Sequence, residues 1–193
     1  MKFKSTAGFL CAAAALCLGS SISQAKPMHG MPMRMSASDA MFAKKAAQGG
    51  MLEVKLGRYA ADNATDGRVR DFGKRMVADH SKANADLIKV ASQQRIVLPK
   101  SPDSKQQAMA AKLMRLHGAA FDRAYVKAMV KDHTEDADEF AKEASKGKNP
   151  AIKGFAARTL PIIEHHLAMI KDEWASMNGA HHFNMSHDGK MRM

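Results

Sequence analysis

The sequence is poor in cysteine and in aromatic residues, and it has no long hydrophobic run. Both cysteines, Cys11 and Cys17, lie near the start of the chain, in a segment with the features of a signal peptide. A mature chain without cysteine has neither disulfides nor thiolate ligands, so its hydrophobic core must stabilise it. No stretch is long and apolar enough for an ordinary transmembrane helix. No segment shows the sustained alternation of a β-strand, which leaves an all-α protein.

The first 25 residues have the order of features found in secretory signal peptides. The two lysines of "MKFK" precede the apolar run "AGFLCAAAALCLG", and "SQA" places small residues before a cleavage point after Ala25. This order predicts removal of residues 1–25 and export to the periplasm. Association with the outer membrane stays open.

The charge of the chain is strongly positive, with a formal net value of +11. Aromatic residues make up only 6% of the sequence, and the lysines are spread over predicted solvent faces, which argues against nucleic acid as a partner. A basic exported protein is attracted to anionic lipid or polysaccharide, so an anionic envelope surface is a candidate partner. Alternatively, the positive charge only keeps the surface solvated. The sequence leaves the oligomeric state open.

Four long amphipathic stretches predict a four-helix bundle over residues 38–177. The predicted helices cover residues 38–63, 66–95, 119–146 and 150–177, and a short helix at 104–117 lies between the second and third. Pro161 falls inside the last helix, where it removes a hydrogen bond or causes a kink. Two antiparallel hairpins joined by a crossover that contains the short helix give a ferritin-like arrangement.

Each long helix carries one side chain of a metal-ligand type on its apolar face. These are Glu53, His80, His133 and His166, whereas His165 points to solvent. The four residues lie at similar distances from the hairpin turns, so antiparallel hairpins bring them to one level of the bundle. Three imidazoles and a carboxylate suit a single transition-metal ion, copper or zinc. The spacing therefore predicts a buried metal site.

Polar neighbours of these residues are candidates for orienting the imidazoles. Asp79 and Asp132 each precede a histidine in the repeated Met-Val-x-Asp-His pattern, and Asn84 lies one turn after His80. The Glu-x-x-His pairs of di-iron bundles are absent, because an apolar residue stands three positions before each histidine. This pattern argues against a di-iron centre. A metal-free layer, in which Glu53 accepts hydrogen bonds from the imidazoles, is the alternative interpretation.

Both ends of the mature chain are rich in methionine and histidine. Residues 26–37 and 178–193 are predicted to be disordered arms that capture Cu(I) or Ag(I) through thioether and imidazole groups. The alternatives are that the methionine content of these ends has no function, or that their methionines consume oxidants. The candidate ligands are Met28, His29, Met31, Met33, Met35, His181, His182, Met185, His187, Met191 and Met193.

Four segments resemble an uncharacterised family of exported bacterial proteins, whose members are commonly labelled as outer membrane proteins. The segments are "SDAMFAKKAAQGGMLEVKLGRYAADNA", "VRDFGKRMVADHSKANADL", "GAAFDRAYVKAMVKDH" and "LPIIEHHL". The resemblance covers about residues 38–175 and implies a ferritin-like fold, with Glu53, His80, His133 and His166 as the characteristic polar positions. It implies little about function, and the methionine-rich ends lie outside it.

The expected function is transition-metal binding in the periplasm, with copper first, for metal buffering or tolerance. The alternative is an envelope stress or interaction module in which the Glu/His layer is purely structural. An enzyme would need an open coordination position and a substrate pocket. The sequence indicates neither, so it favours a binding protein without excluding a catalyst.

Overall fold

The computed structural model describes the backbone of residues 36–187 and the side chains of residues 36–179. Over these residues the chain forms five α-helices and no β-strand, as predicted. They are α1 (Ala37–Asn63), α2 (Gly67–Gln93), α3 (Ser104–Leu113), α4 (Gly118–Lys146) and α5 (Pro150–His187). Among the helices described, none has a stretch long and apolar enough to cross a membrane. The predicted signal peptide, the arm up to residue 35 and residues 188–193 lie outside the described part.

The four long helices form two hairpins, α1–α2 and α4–α5, and these pack together with α1 against α4 and α2 against α5. The connection through α3 contacts both α1 and α4, which makes it the predicted long crossover. The observed connectivity is that of ferritin-like bundles. The prediction of two antiparallel hairpins joined by a crossover with a short helix is therefore confirmed.

Each hairpin loop is fastened by an aspartate from the first helix of the other hairpin. The carboxylate of Asp39, near the start of α1, accepts hydrogen bonds from the backbone N–H groups of Lys148 and Asn149. Near the start of α4, Asp122 accepts hydrogen bonds from the backbone N–H groups of Thr65 and Asp66. Each helix start therefore lies beside the end of the partner hairpin's first helix, which makes α1 and α4 antiparallel.

Local sequence signals explain most helix ends. Ser36 and Asp66 cap α1 and α2 through their side-chain oxygens, and Asp103 forms a reciprocal capping box with Gln106 at the start of α3. After α2 the chain turns at Arg95, whose φ of 57° lies in the left-handed region. The α5 helix runs through Pro161 and continues beyond the end predicted at residue 177.

Helices α1 and α2 cross in close contact because each has a glycine at the crossing point. A Cβ atom added at Gly57 would lie 2.9 Å from both the carbonyl oxygen of Gly73 and the Cβ of Met76. A Cβ atom added at Gly73 would lie 2.7 Å from the carbonyl oxygen of Gly57. Neither position has room for a side chain, so the two backbones approach one another directly.

The core consists of two hydrophobic clusters, one towards each end of the bundle. The first includes Leu56, Phe72, Phe121 and Tyr125, and the second includes Phe42, Leu87, Phe140 and Phe155. Along α2, α4 and α5, one histidine falls between the residues of the two clusters, and on α1 Glu53 directly follows Leu52 at the edge of the first cluster. The hydrophobic core is therefore interrupted at mid-length by a buried polar layer.

Candidate metal centre

The structure brings Glu53, His80, His133 and His166 together in this buried layer, as the sequence predicted. Their side chains come from α1, α2, α4 and α5 respectively, and none of the four residues is more than 5% exposed. The three imidazole rings lie 5.2–5.7 Å apart between centroids. Phe72 packs edge-on against the rings of His133 and His166 and closes one side of the layer.

A chain of polar contacts runs from the surface into the layer. Asp79 Oδ2 lies 2.9 Å from His166 Nε2, and His166 Nδ1 lies 3.3 Å from His80 Nε2. The other nitrogen of His80, Nδ1, lies 2.7 Å from Glu53 Oε2. Asp79 is the member of this chain that reaches solvent, where Arg75 lies 3.9 Å away. The chain thus links a partly exposed carboxylate on α2 to a buried carboxyl group on α1.

The partners of His133 and His166 fix which nitrogen carries the proton. His133 Nδ1 lies 3.1 Å from the carbonyl oxygen of Met129, which can only accept, so Nδ1 is the N–H donor. His166 donates through Nε2 to the carboxylate of Asp79. In the neutral rings, His133 Nε2 and His166 Nδ1 therefore carry lone pairs, and both face the interior of the layer. This is the arrangement in which outer hydrogen bonds orient imidazole ligands.

His80 admits two proton arrangements. With the proton on Nε2, it donates to His166, and a protonated Glu53 donates to Nδ1. With the proton on Nδ1, it donates to the Glu53 carboxylate, and all three imidazoles direct lone pairs towards one another. The second arrangement is the form suited to a cation, and the two arrangements differ by one proton on Glu53.

Burial sets the charge state of the layer. It lowers the pKa of His80 and of His166 to about 4, although the nearby carboxylates oppose this shift. Burial also lowers the pKa of His133 to about 3, and His80 and His166 add to the effect. The pKa of Glu53 is raised to about 8 by burial. At neutral pH the imidazoles are therefore uncharged, which is the form that binds metal.

The ligand atoms form two groups that share His133. Nitrogens of His80, His133 and His166 all lie within 4.8 Å of one another, and so do ligand atoms of Glu53, Asp132 and His133. The 3.3 Å between His80 Nε2 and His166 Nδ1 equals the nitrogen separation of about 3.3 Å in a tetrahedral site with metal–nitrogen bonds of about 2.05 Å. This pair of imidazoles therefore has the spacing of ligands to copper or zinc, and the nitrogen of His133 lies within 4.8 Å of both.

The residues predicted to orient the imidazoles differ in what they do. Asp79 contacts His166 as expected. Among the described residues Asp132 makes no hydrogen bond to an imidazole, and its Oδ2 atom is buried without a partner. Asn84 instead lies over Gly50 and lines a small cavity beside Glu53 and His80. Of the predicted ligands near the chain ends, Met28 to Met35, Met191 and Met193 lie outside the described residues. The side chains of His181, His182, Met185 and His187 also lie outside them.

Two polar residues of the layer were missed by the sequence analysis. Asp136 lies one helical turn after Asp132 and lines the same small cavity as Glu53. Its pKa is raised by burial and by the charges of Glu53 and Asp132. Tyr125 has a buried hydroxyl without a partner among the described side chains. The i, i+4 spacing of the two aspartates was the available signal for Asp136.

Two solved structures share the fold of this chain. One is described as "putative secreted protein DUF305" from Streptomyces coelicolor, with 16% identity, a TM-score of 0.61, and coverage of 72% of this chain and 93% of that one. The other is a DUF305 fragment from Deinococcus radiodurans, with 9% identity, a TM-score of 0.65, and coverage of 74% and 98%. At these identities the likeness concerns the fold alone.

No curated protein matches this sequence. A family model does match, over residues 24–172, which includes all of α1 to α4 and most of α5. None of the names found mentions ferritin or an outer membrane, so the outer-membrane label of the resemblance stays an expectation. Because the match spans most of its length, the chain belongs to the family described as "Domain of unknown function (DUF4142)".

Proposed function

We propose that this protein binds one transition-metal ion in its buried layer and serves in metal buffering or tolerance in the periplasm. The observation that carries the proposal is the set of three buried, uncharged imidazoles with nitrogens that lie within 4.8 Å of one another. Outer acceptors, Asp79 and the Met129 carbonyl, fix the orientation of two of the rings. Neutral imidazoles at this spacing suit copper and zinc.

Copper is the first choice of metal. Imidazole nitrogen binds both copper and zinc, but the methionine-rich ends of the chain add thioether groups that favour Cu(I) over zinc. These ends would gather copper, and the buried layer would hold one ion as a structural or regulatory ligand. Export is supported by the predicted signal peptide and by the secreted description of the Streptomyces coelicolor protein.

A metal-free structural layer is the second candidate. It is favoured by the polar contacts from Asp79 through His166 and His80 to Glu53, which satisfy most of the layer without an ion. In that case the layer specifies how the two hairpins pair, and the protein acts as an envelope stress or interaction module.

Metal analysis of the purified protein distinguishes the two candidates. The chain without residues 1–25 is produced with copper and zinc present, and its metal content is compared with that of a His80→Ala, His133→Ala double variant. His165→Ala is the matched control, because His165 is the exposed neighbour of His166. We expect the double variant to lose one ion per chain and the control to lose none. Equal metal content in all three proteins, with circular dichroism showing that each is folded, would rule out the buried site.

A further inference from the structure

Four buried polar atoms without hydrogen-bond partners gather on the side of the layer formed by α1 and α4. They are Glu53 Oε1, Tyr125 Oη, Asp132 Oδ2 and His133 Nε2. Glu53 Oε1 and His133 Nε2 are only 3.4 Å apart, and the groups of Glu53, Asp132 and His133 lie within 4.8 Å of one another. Buried polar atoms are normally paired, so a concentration of unpaired ones at a single place indicates a ligand position.

The carboxyl groups of Glu53 and Asp132 among these atoms also suit a cation. Burial and, to a smaller extent, the neighbouring Glu53 together raise the pKa of Asp132 to about 7. The pKa of Tyr125 is raised by burial and by the charges of Glu53 and Asp132. Glu53 is buried, and the enclosed Oδ2 atom belongs to the half-buried Asp132 beside it, whereas the basic neighbour Lys131 is exposed and paired with Glu135. A divalent cation between the two carboxyl groups would displace the protons that burial retains on them and balance the resulting charges.

We propose that Glu53, Asp132 and His133 form a second cation position, which takes a divalent ion that prefers oxygen ligands, such as Mn²⁺. The proposal rests on the proposed function in treating the layer as a metal centre, but it keeps only His133 of the imidazole group and adds Glu53 and Asp132. Carboxylate oxygens and water suit manganese, whereas the three imidazoles suit copper and zinc. A cavity of about 10 Å³ beside Glu53 and Asp136 has room for about one water ligand.

The two positions cannot both hold an ion through His133 at the same time, because they share its Nε2 atom. Nδ1 of His133 donates to the Met129 carbonyl, so Nε2 is the only nitrogen of this ring that is free to bind an ion. An imidazole nitrogen has one lone pair and serves one ion at a time. The layer therefore binds one ion through His133, and the identity of the metal selects the position.

Competition between Mn²⁺ and Zn²⁺ tests this inference. Binding of Mn²⁺ to metal-free protein is followed by the loss of the free-ion signal in electron paramagnetic resonance, and Zn²⁺ is then added. We expect Zn²⁺ to release Mn²⁺ from the layer of the wild-type protein. Asp132→Asn should weaken Mn²⁺ binding at least about tenfold and leave Zn²⁺ binding intact. His166→Gln should weaken Zn²⁺ binding and leave Mn²⁺ binding intact. Glu135→Gln, at an exposed position of the same helix as Asp132, is the matched control.

Each outcome separates this inference from the proposed function. Binding of Zn²⁺ but not Mn²⁺ by the wild-type protein would overturn the second position and leave the proposed function standing. Equal losses of both metals in Asp132→Asn and His166→Gln would overturn it as well, since they would indicate a single site. Binding of neither metal would overturn the second position, whereas the proposed function, whose first metal is copper, is decided by the metal analysis described above. Failure of the wild-type protein to bind Mn²⁺ would overturn the second position even if a variant fails to fold.

Discussion

Replacing Glu53 by glutamine should stabilise the metal-free protein relative to wild type, and this difference in the free energy of unfolding should grow as the pH rises. Glu53 is 1% exposed, and burial raises its pKa from an ordinary 4.5 to about 8. Below pH 4.5 the folded and unfolded states both hold the proton, so the group contributes no pH dependence. Between pH 4.5 and 8 only the folded state holds it, and stability is lost as the pH rises. Glutamine has a similar shape and does not titrate, so it removes this loss.

The magnitude follows from the size of the pKa shift. Each pH unit between the two pKa values costs about 1.4 kcal/mol, so the loss at pH 8 approaches about 5 kcal/mol as an upper bound. Coupling to Asp132 divides the protons between two groups, which lowers the part that belongs to Glu53 alone. We therefore expect Glu53→Gln to gain a few kcal/mol relative to wild type between pH 5 and pH 8.

Urea unfolding followed by circular dichroism at several pH values, with a chelator present, measures this difference. Glu139→Gln is the matched control, because Glu139 lies at the surface in a pair with Lys45. The free energy of unfolding of Glu53→Gln relative to wild type should increase with pH, and that of the control should not. A difference that stays constant from pH 5 to pH 8 would refute the reasoning, since it would mean that Glu53 does not retain a proton in the folded state.

Two further predictions concern the helix crossing and the histidines. Gly57→Ala should destabilise the protein by about 1–3 kcal/mol, because its Cβ would meet the backbone of α2. Gly179→Ala, with no atom within 4 Å of the added Cβ, should stabilise it by about 0.5–1 kcal/mol; equal thermal shifts for both variants would contradict the close crossing. Burial lowers the pKa of His166 to about 4, so wild type should lose stability relative to His166→Gln as the pH falls from 6.5 to 4, by about 3 kcal/mol. A flat difference in acid urea unfolding would show that the imidazole is not held uncharged.

The helices and the level of the buried layer could be predicted from the sequence because both follow from regular geometry. An apolar stripe fixes the face that is buried, and a constant rise per residue fixes the depth of each polar residue from its turn. The predicted ends at residues 63 and 146 match those of α1 and α4. The short helix α3 ends at Leu113 rather than at 117, because the chain turns between residues 113 and 117 before α4 begins.

The roles of the two aspartates could not be predicted, because they depend on which helices are neighbours and how each is rotated. Asp79 and Asp132 occupy the same place in the repeated pattern, and both were expected to orient an imidazole. Because α2 packs against α5, Asp79 reaches His166. Asp132 is on α4, which packs against α1, and it lies beside Glu53 instead. The two aspartates of the repeat therefore differ in role: Asp79 orients an imidazole, and Asp132 is a candidate metal ligand.

The reciprocal fastening of the hairpin loops by Asp39 and Asp122 bears on how quickly anything enclosed at mid-length can escape. These two attachments lie at opposite ends of the bundle, so fraying at one end leaves the other closed. Separation of the hairpins requires both to break within the same opening event, which makes it a highly cooperative motion. An ion that could leave the layer only through such an opening would exchange over long times even if its equilibrium affinity were modest.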